Sequence, residues 1–222
     1  MSIKESLLEI KNSLPDTVTL VAVSKTKPVS DLEEAYAAGQ RIFGENKIQE
    51  MTQKWEVMPK DIQWHMIGHV QTNKVKYMSE YVSLVHGVDS FKLLKEINKQ
   101  AKKHNRVIEC LLQMHIAEES TKFGLNKSEL KDLIASDDFK SLDNIKVTGL
   151  MGMATFTEDT EQIKKEFGTL KQIYNTLQDI KSTNLDVKIL SMGMSGDYKL
   201  AIEQGSTMVR IGSSIFGSRN YL

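Results

Sequence analysis

The chain has 222 residues, with 29 Lys and Arg against 29 Asp and Glu, so its formal charge at neutral pH is zero. That balance argues against a surface built for a polyanion such as nucleic acid, and an apolar content of 40% is that of an ordinary globular core. One cysteine, Cys110, cannot form an internal disulfide and no apolar run approaches bilayer-spanning length, so a cytoplasmic protein clear of membranes is expected.

In chain order, Ser2 and Glu5 have the spacing of a capping box, and Ile3, Leu7, Ile10 and Leu14 share one helical face. The chain is therefore expected to open on an amphipathic helix, whereas a signal peptide would be basic and then uniformly apolar. Short apolar, often β-branched runs then alternate with longer amphipathic ones. The runs predict eight strands: Val18–Ser24, Arg41–Phe43, Gln63–Ile67, Leu84–Val88, Val107–His115, Lys146–Met151, Val187–Leu190 and Thr207–Ile211. Helix starts are legible between them at Ser30 with Glu33, at Ser90, and at Asn126 with Glu129. The longest helix is expected to bury Ile163, Phe167, Leu170, Tyr174 and Leu177, which recur at three- and four-residue steps.

Eight strands alternating with helices fit a closed (β/α)8 TIM-type barrel or an open doubly wound sheet. The open Rossmann form predicts Gly-x-Gly-x-x-Gly after the first strand, where this chain has Lys25-Thr26-Lys27-Pro28. The barrel is the expectation, as a single domain over residues 1–222 with an extra N-terminal helix. It gathers the strand ends on one face, where phosphate is frequently held by the loops after strands seven and eight. Those loops are read as Ser191–Asp197 and Gly212–Gly217, and Lys25 would end strand one beside strand eight.

Lys25 is the candidate nucleophile, because only a primary amine condenses with an aldehyde to an imine and partial burial favours the neutral amine. Lys27 competes with it, although Pro28 suggests that Lys27 lies in the outgoing loop. Ser195-Gly196-Asp197 is read as opening a short helix, Tyr198 to Gln204, ended by Gly205. Glycine admits close backbone approach and a helix start favours an anion; the plain alternative is a cap by Ser195 or Asp197. Gly212-Ser213-Ser214 repeats the pattern one element later. A strand-end lysine near a phosphate cradle suggests a phosphorylated aldehyde held covalently, for which pyridoxal 5'-phosphate is the obvious choice. Arg210 lies in an apolar strand and needs a partner, either the pyridine nitrogen of such a cofactor or a structural ion pair. His65 and His69 have the spacing of a zinc helix, but Met66 replaces the glutamate of His-Glu-x-x-His and the context is a strand end, so no metal is expected. Cys110 reads as a packing residue and the eleven methionines as core filler.

The segments Val21 to Pro28, Phe43 to Asn46, Trp64 to Lys74, Ser191 to Asp197 and Val209 to Gly212 together resemble the pyridoxal-phosphate homeostasis proteins, the YggS/PROSC family. That family is related in fold to the barrel domain of alanine racemase. The resemblance implies that Lys25 carries the cofactor as a Schiff base, that Ser195 and the Gly212-Ser213 backbone hold its phosphate, that Arg210 faces the ring nitrogen and that Asn46 lines the pocket. Gln113-Met114-His115 departs from the family's usual Gln-Val-Asn, while residues 116–124 fit it. The chain ends at Leu222, without the β-domain and the second base that alanine racemase brings across its cofactor. A monomeric carrier in pyridoxal phosphate supply and buffering is thus expected, not an enzyme, with PLP-dependent apo-enzymes as candidate recipients. The alternatives are a small PLP-dependent racemase taking its second base from Tyr198 or His65, and a Schiff-base aldolase using the cradle for a sugar phosphate.

Overall fold

Eight parallel strands close into a barrel in sequence order: β1 (Thr19–Val23), β2 (Ile42–Glu45), β3 (Gln63–Met66), β4 (Leu84–Val88), β5 (Ile108–Gln113), β6 (Ile145–Met151), β7 (Leu185–Met194) and β8 (Met208–Ile211). The computed structural model describes residues 1–118 and 123–218. Helices α1 (Ile3–Ser13), α2 (Val29–Ala37), α3 (Ile48–Val57), α4 (Phe91–Lys103), α5 (Lys127–Ala135), α6 (Asp137–Lys140), α7 (Thr160–Gln178), α8 (Tyr198–Glu203) and α9 (Ser213–Phe216), with a 3₁₀ helix at Thr72–Tyr77, connect or flank them. The TIM-type barrel and the extra N-terminal helix expected from the sequence are both present.

Alternation along each strand divides the apolar residues between two cores. Outward residues such as Ala22, Phe43, Trp64, Cys110 and Leu112 meet the helices in a continuous outer core. Inward residues Val21, Leu84, Leu111, Met151 and Met208 fill the barrel, with Ile42, Ile67, Met153 and Ile189 packed on them. The same parity turns Lys25 and Asn46 inward and Ser24 and Glu45 outward, toward the helices. Five predicted contact residues of α7 (Ile163, Phe167, Leu170, Tyr174, Leu177) are all buried. Barrel curvature demands one very close approach: a Cβ on Gly149 would stand 1.8 Å from the Ile189 carbonyl oxygen.

Capping boxes form at Ser2 with Glu5 and at Asn126 with Glu129, and Ser90 accepts from the Leu93 N–H. The box read at Ser30 with Glu33 does not form. Helix α2 starts two residues earlier, behind Pro28, so Ser30 already lies in its first turn. The largest revision concerns Ser191–Asp197, read as a loop: β7 runs on to Met194 and only the last three residues turn. Ser191 and Met192 are fully buried in strand, and small residues hid that alternation. At the other extreme, Val107 is exposed and β5 is shorter than read at both ends. Of the segment 116–124 matched to the family, residues 119–122 lie outside those described, as does Leu222.

Candidate functional site

Parallel register draws the two ends of the chain together. Strand β1 pairs with β8 from Thr19 opposite Met208 to Ala22 opposite Ile211, so Lys25 emerges beside the turn after β8. A Cβ on Gly212 would already lie 3.0 Å from the Val23 carbonyl oxygen, and glycine keeps that contact open. A cavity of about 570 Å³ opens at this C-terminal face, within the range of small-molecule sites. Lys25, Asn46, Ser195, Arg210, Gly212 and Ser213 all line it. A larger cavity of about 680 Å³ lies elsewhere, between α5 and α7, away from the strand ends, lined by Leu130, Ile134, Ile173 and Leu177 together with Lys127, Lys131 and Lys140.

The two lysines have different surroundings. Lys27 Nζ donates to the carbonyl oxygens of Phe216 at 2.6 Å and Ser218 at 3.2 Å, which strap the first turn to the end of α9. Lys25 projects from the same turn into the cavity. On the opposite wall, Ser195 and Asp197 were each open to being a plain helix cap; Asp197 takes the N-cap position of α8, but neither side chain caps the helix. Asp197 Oδ1 accepts the Met194 N–H at 2.6 Å, and Ser195 Oγ accepts the Gly212 N–H at 3.2 Å. Ser195 thereby keeps its own hydroxyl proton to give, while the Gly212 N–H is committed to Ser195. The first N–H groups of α9, at Ser213 and Ser214, have no acceptor within their helix.

Arg210 is buried at the cavity floor. Its guanidinium donates to the Ser191 carbonyl at 3.0 Å, the Ser191 hydroxyl at 2.6 Å and the Gly152 carbonyl at 3.2 Å. Among the described residues, the hydrogen bonds of Arg210 go to these neutral acceptors and not to a carboxylate. Burial lowers its pKa to about 10, opposed by the charge of Asp197, so it remains a cation at neutral pH.

Behind Arg210 runs a buried chain that the sequence did not disclose. Ser191 Oγ lies 3.1 Å from His86 Nδ1, and His86 Nε2 lies 3.1 Å from His65 Nδ1. Because Arg210 donates to Ser191, the hydroxyl proton is available to His86 Nδ1. Neutral His86 then carries its proton on Nε2 and gives it to His65 Nδ1, which fixes both tautomers. Burial pushes the His65 pKa down to about 3, and His86 is held well below its ordinary value by burial, by His65 and by Arg210. Both rings are neutral spacers between strands. Their inward positions on β3 and β4 were available from strand parity, but pairing across the barrel is a tertiary fact.

The remaining residues sort as follows. His69 is at the rim, with Nδ1 3.2 Å from Asp89 and its ring stacked on Phe123 at 4.2 Å. His65 lies in the barrel interior, so the two histidines of the zinc-like spacing serve different surroundings. Gln113 lines the cavity and donates to the Phe123 carbonyl, whereas His115, the departure from the family pattern, is not part of the lining. Neither His65 nor Tyr198 lines it either. Met153 and Met194 do, so not every methionine is core filler, and Phe123 and Phe156 complete an apolar rim that sequence reading missed. Cys110 is fully buried and its thiol pKa is pushed up, as a packing residue should be. Chemically, the cavity offers an amine, a hydroxyl, helix-start N–H groups and a fixed cation, a donor set suited to an aldehyde that carries a phosphate and a basic ring nitrogen.

Comparison with known proteins agrees with this chemistry. The family described as "Alanine racemase, N-terminal domain" matches residues 2–220. A pyridoxal phosphate homeostasis protein of Aquifex aeolicus is 40% identical over 203 residues, covering 91% of this chain and 87% of that protein. The structure of PipY from Synechococcus elongatus, with PLP bound, superposes with a TM-score of 0.88 at 32% identity, over 97% of this chain and 100% of that one. An alanine racemase of Clostridium difficile shares the fold at a TM-score of 0.79 and 16% identity, with this chain spanning 56% of its length. The chain belongs to the alanine racemase N-terminal domain family and, within it, to the pyridoxal phosphate homeostasis proteins.

Proposed function

We propose that this protein binds pyridoxal 5'-phosphate through Lys25 as a Schiff base and serves to hold and supply the cofactor, without efficient turnover of its own. The observation that carries this reading is the convergence of Lys25, Asn46, Ser195, Arg210, Gly212 and Ser213 from four strand ends on one cavity. The family's named members and the PLP in the PipY structure support the choice of ligand. When bound, pyridoxal phosphate supplies an aldehyde for the imine and a ring that withdraws electrons.

This chain's residues fit that group. The Ser195 hydroxyl, with its proton uncommitted by the Gly212 contact, and the Ser213 N–H at the start of α9 would hold the phosphate. Arg210 would face the ring nitrogen as a donor; with a pKa of about 10 it gives a hydrogen bond and keeps its proton, so the ring stays unprotonated. Lys27, strapped to Phe216 and Ser218, is the less suitable amine. The racemase alternative needs a base opposite Lys25, and its two candidates, His65 and Tyr198, stand outside the cavity lining. PLP-dependent apo-enzymes are the recipients such a carrier would serve.

The test is the visible spectrum of the purified protein with pyridoxal phosphate, followed by borohydride reduction and peptide mapping. The expected result is a yellow protein that bleaches on reduction, with the pyridoxyl group on Lys25 and no label in Lys25→Ala. A pyridoxyl group on Lys27, or no label at all, would overturn the assignment. Amino acids incubated in deuterated water separate carrier from racemase: rapid α-carbon exchange would reject the non-catalytic half of the proposal.

A further inference from the structure

Lys25 is the second residue of a tight turn. The Lys27 N–H donates to the Ser24 carbonyl at 3.1 Å, closing Ser24-Lys25-Thr26-Lys27, and Thr26 at its third position has φ of +64°. A positive φ there defines a type II turn, where glycine or asparagine is normally found. A β-branched threonine in the left-handed region is strained, and such strain persists only where its surroundings impose it.

Those surroundings lie on the outer side of the barrel, away from the cavity. Glu50 Oε1, on the first turn of α3, accepts the Thr26 N–H at 2.6 Å. Lys54, one helical turn on and buried, donates to Glu50 Oε1 at 2.8 Å, to Glu45 Oε1 at 2.7 Å and to the Ser24 carbonyl at 2.8 Å. Three donated bonds use all three ammonium protons. The Ser24 hydroxyl adds a bond of 2.6 Å to the same Glu45 oxygen. Both chain neighbours of Lys25 are thereby fixed to one buried ammonium and its two carboxylates. Neither Glu45, Glu50 nor Lys54 lines the cavity.

We propose that Glu50 and Lys54 are positioning residues for Lys25: they hold Thr26 in a left-handed conformation it would not keep alone, and so aim the anchoring amine at the cofactor. The inference rests on Lys25 being the anchor. A salt-bridge cluster serving stability alone would have no reason to place its bonds on the Ser24 carbonyl and the Thr26 N–H, the two backbone groups that set the direction of residue 25. Preorganising an amine in this way saves the cost of ordering it when it reacts.

The experiment loads wild type, Glu50→Ala, Glu50→Gln and Glu50→Ala/Thr26→Gly with pyridoxal phosphate. It measures the release rate by loss of the absorbance band and the site by borohydride trapping. Glu50→Ala is expected to release the ligand about tenfold faster, the scale of one charged hydrogen bond. Glu50→Gln, whose amide oxygen still accepts the Thr26 N–H, is expected within about threefold of wild type. Thr26→Gly should rescue Glu50→Ala, because glycine holds a positive φ without support. Wild-type release by Glu50→Ala, or fast release that neither glutamine nor glycine corrects, overturns the inference while Lys25 still labels. Wild type that never labels Lys25 sinks the anchoring reading and this one with it. If Glu50→Ala fails to fold, the double variant carries the test: wild-type retention supports the inference, and fast release rejects it.

Discussion

Two neutral histidines in the barrel should make this protein sensitive to mild acid. His65 is fully enclosed and its pKa is lowered from 6.5 to about 3, so in the folded state it takes no proton at pH 5. The unfolded chain takes one, and stability rises with pH wherever the unfolded state binds more protons, so acid destabilises the fold. The contribution of His65 is therefore constant above pH 6.5 and is lost progressively as pH falls from there toward 3. Between pH 7.5 and 5.0 the loss is about 2 kcal/mol, from 1.36 kcal/mol for each pH unit below 6.5. His86, lowered in the same direction, adds to it. The clean comparison is His65→Gln, whose side-chain oxygen can still accept from His86 Nε2 while the titrating group is gone. Urea unfolding at the two pH values should show the variant losing about 2 kcal/mol less than wild type, whatever the carboxylates contribute to both. An equal loss in the two proteins would refute the claim that His65 is buried neutral.

Other substitutions probe separate features of the structure. Gly149→Ala places a methyl group against the Ile189 carbonyl and should cost about 3 kcal/mol or more, read from the urea midpoint, unless the strand relaxes around it. Ser191→Ala removes the hydroxyl between Arg210 and His86, stranding polar groups on both sides; about 1–3 kcal/mol should be lost, and a double-mutant cycle with His86→Phe should show strong coupling. Cys110 should react with thiol reagents only on unfolding, so labelling in native buffer that keeps pace with labelling in urea would contradict its burial.

The barrel was legible because alternation of two periods leaves few architectures, and because the eight runs contain the β-branched residues that sit on both faces of a buried parallel strand. The site was legible in part for the same reason: barrels put chemistry at strand ends, and Lys25, Asn46, Arg210 and Gly212 each follow or close a strand. What sequence could not carry was anything decided across the barrel. Ser191 looked like a loop residue because it opens a segment rich in serine and glycine, Ser191 to Asp197, yet it joins Arg210 to His86. Nothing in the sequence marks Glu50 and Lys54, and only packing turns them, with Glu45, toward the neighbours of Lys25. Thr26 gave no warning of its positive φ, since threonine is the wrong residue for that conformation.

Moving a proton at the carbon beside an amine requires a group that can both give and take it on the face away from the lysine. Among the described residues, the titratable side chains lining the cavity are Lys25, Lys27, His69 and Arg210. Lys27 is bound to two carbonyl oxygens, and Arg210 keeps its proton at neutral pH. That leaves His69, whose Nδ1 meets Asp89 and whose ring stacks on Phe123 at the open rim. The carboxylate orients the imidazole much as in a catalytic dyad, so among the described residues His69 is the one through which a racemase reading would work. The two readings part on His69→Asn. If the protein is a carrier, the variant should retain pyridoxal phosphate within about threefold of wild type, since one rim contact among many is lost. It should show the same negligible α-carbon deuterium exchange. If wild type exchanges deuterium measurably and His69→Asn abolishes it while keeping the ligand, the site is catalytic and the carrier reading fails at its central point.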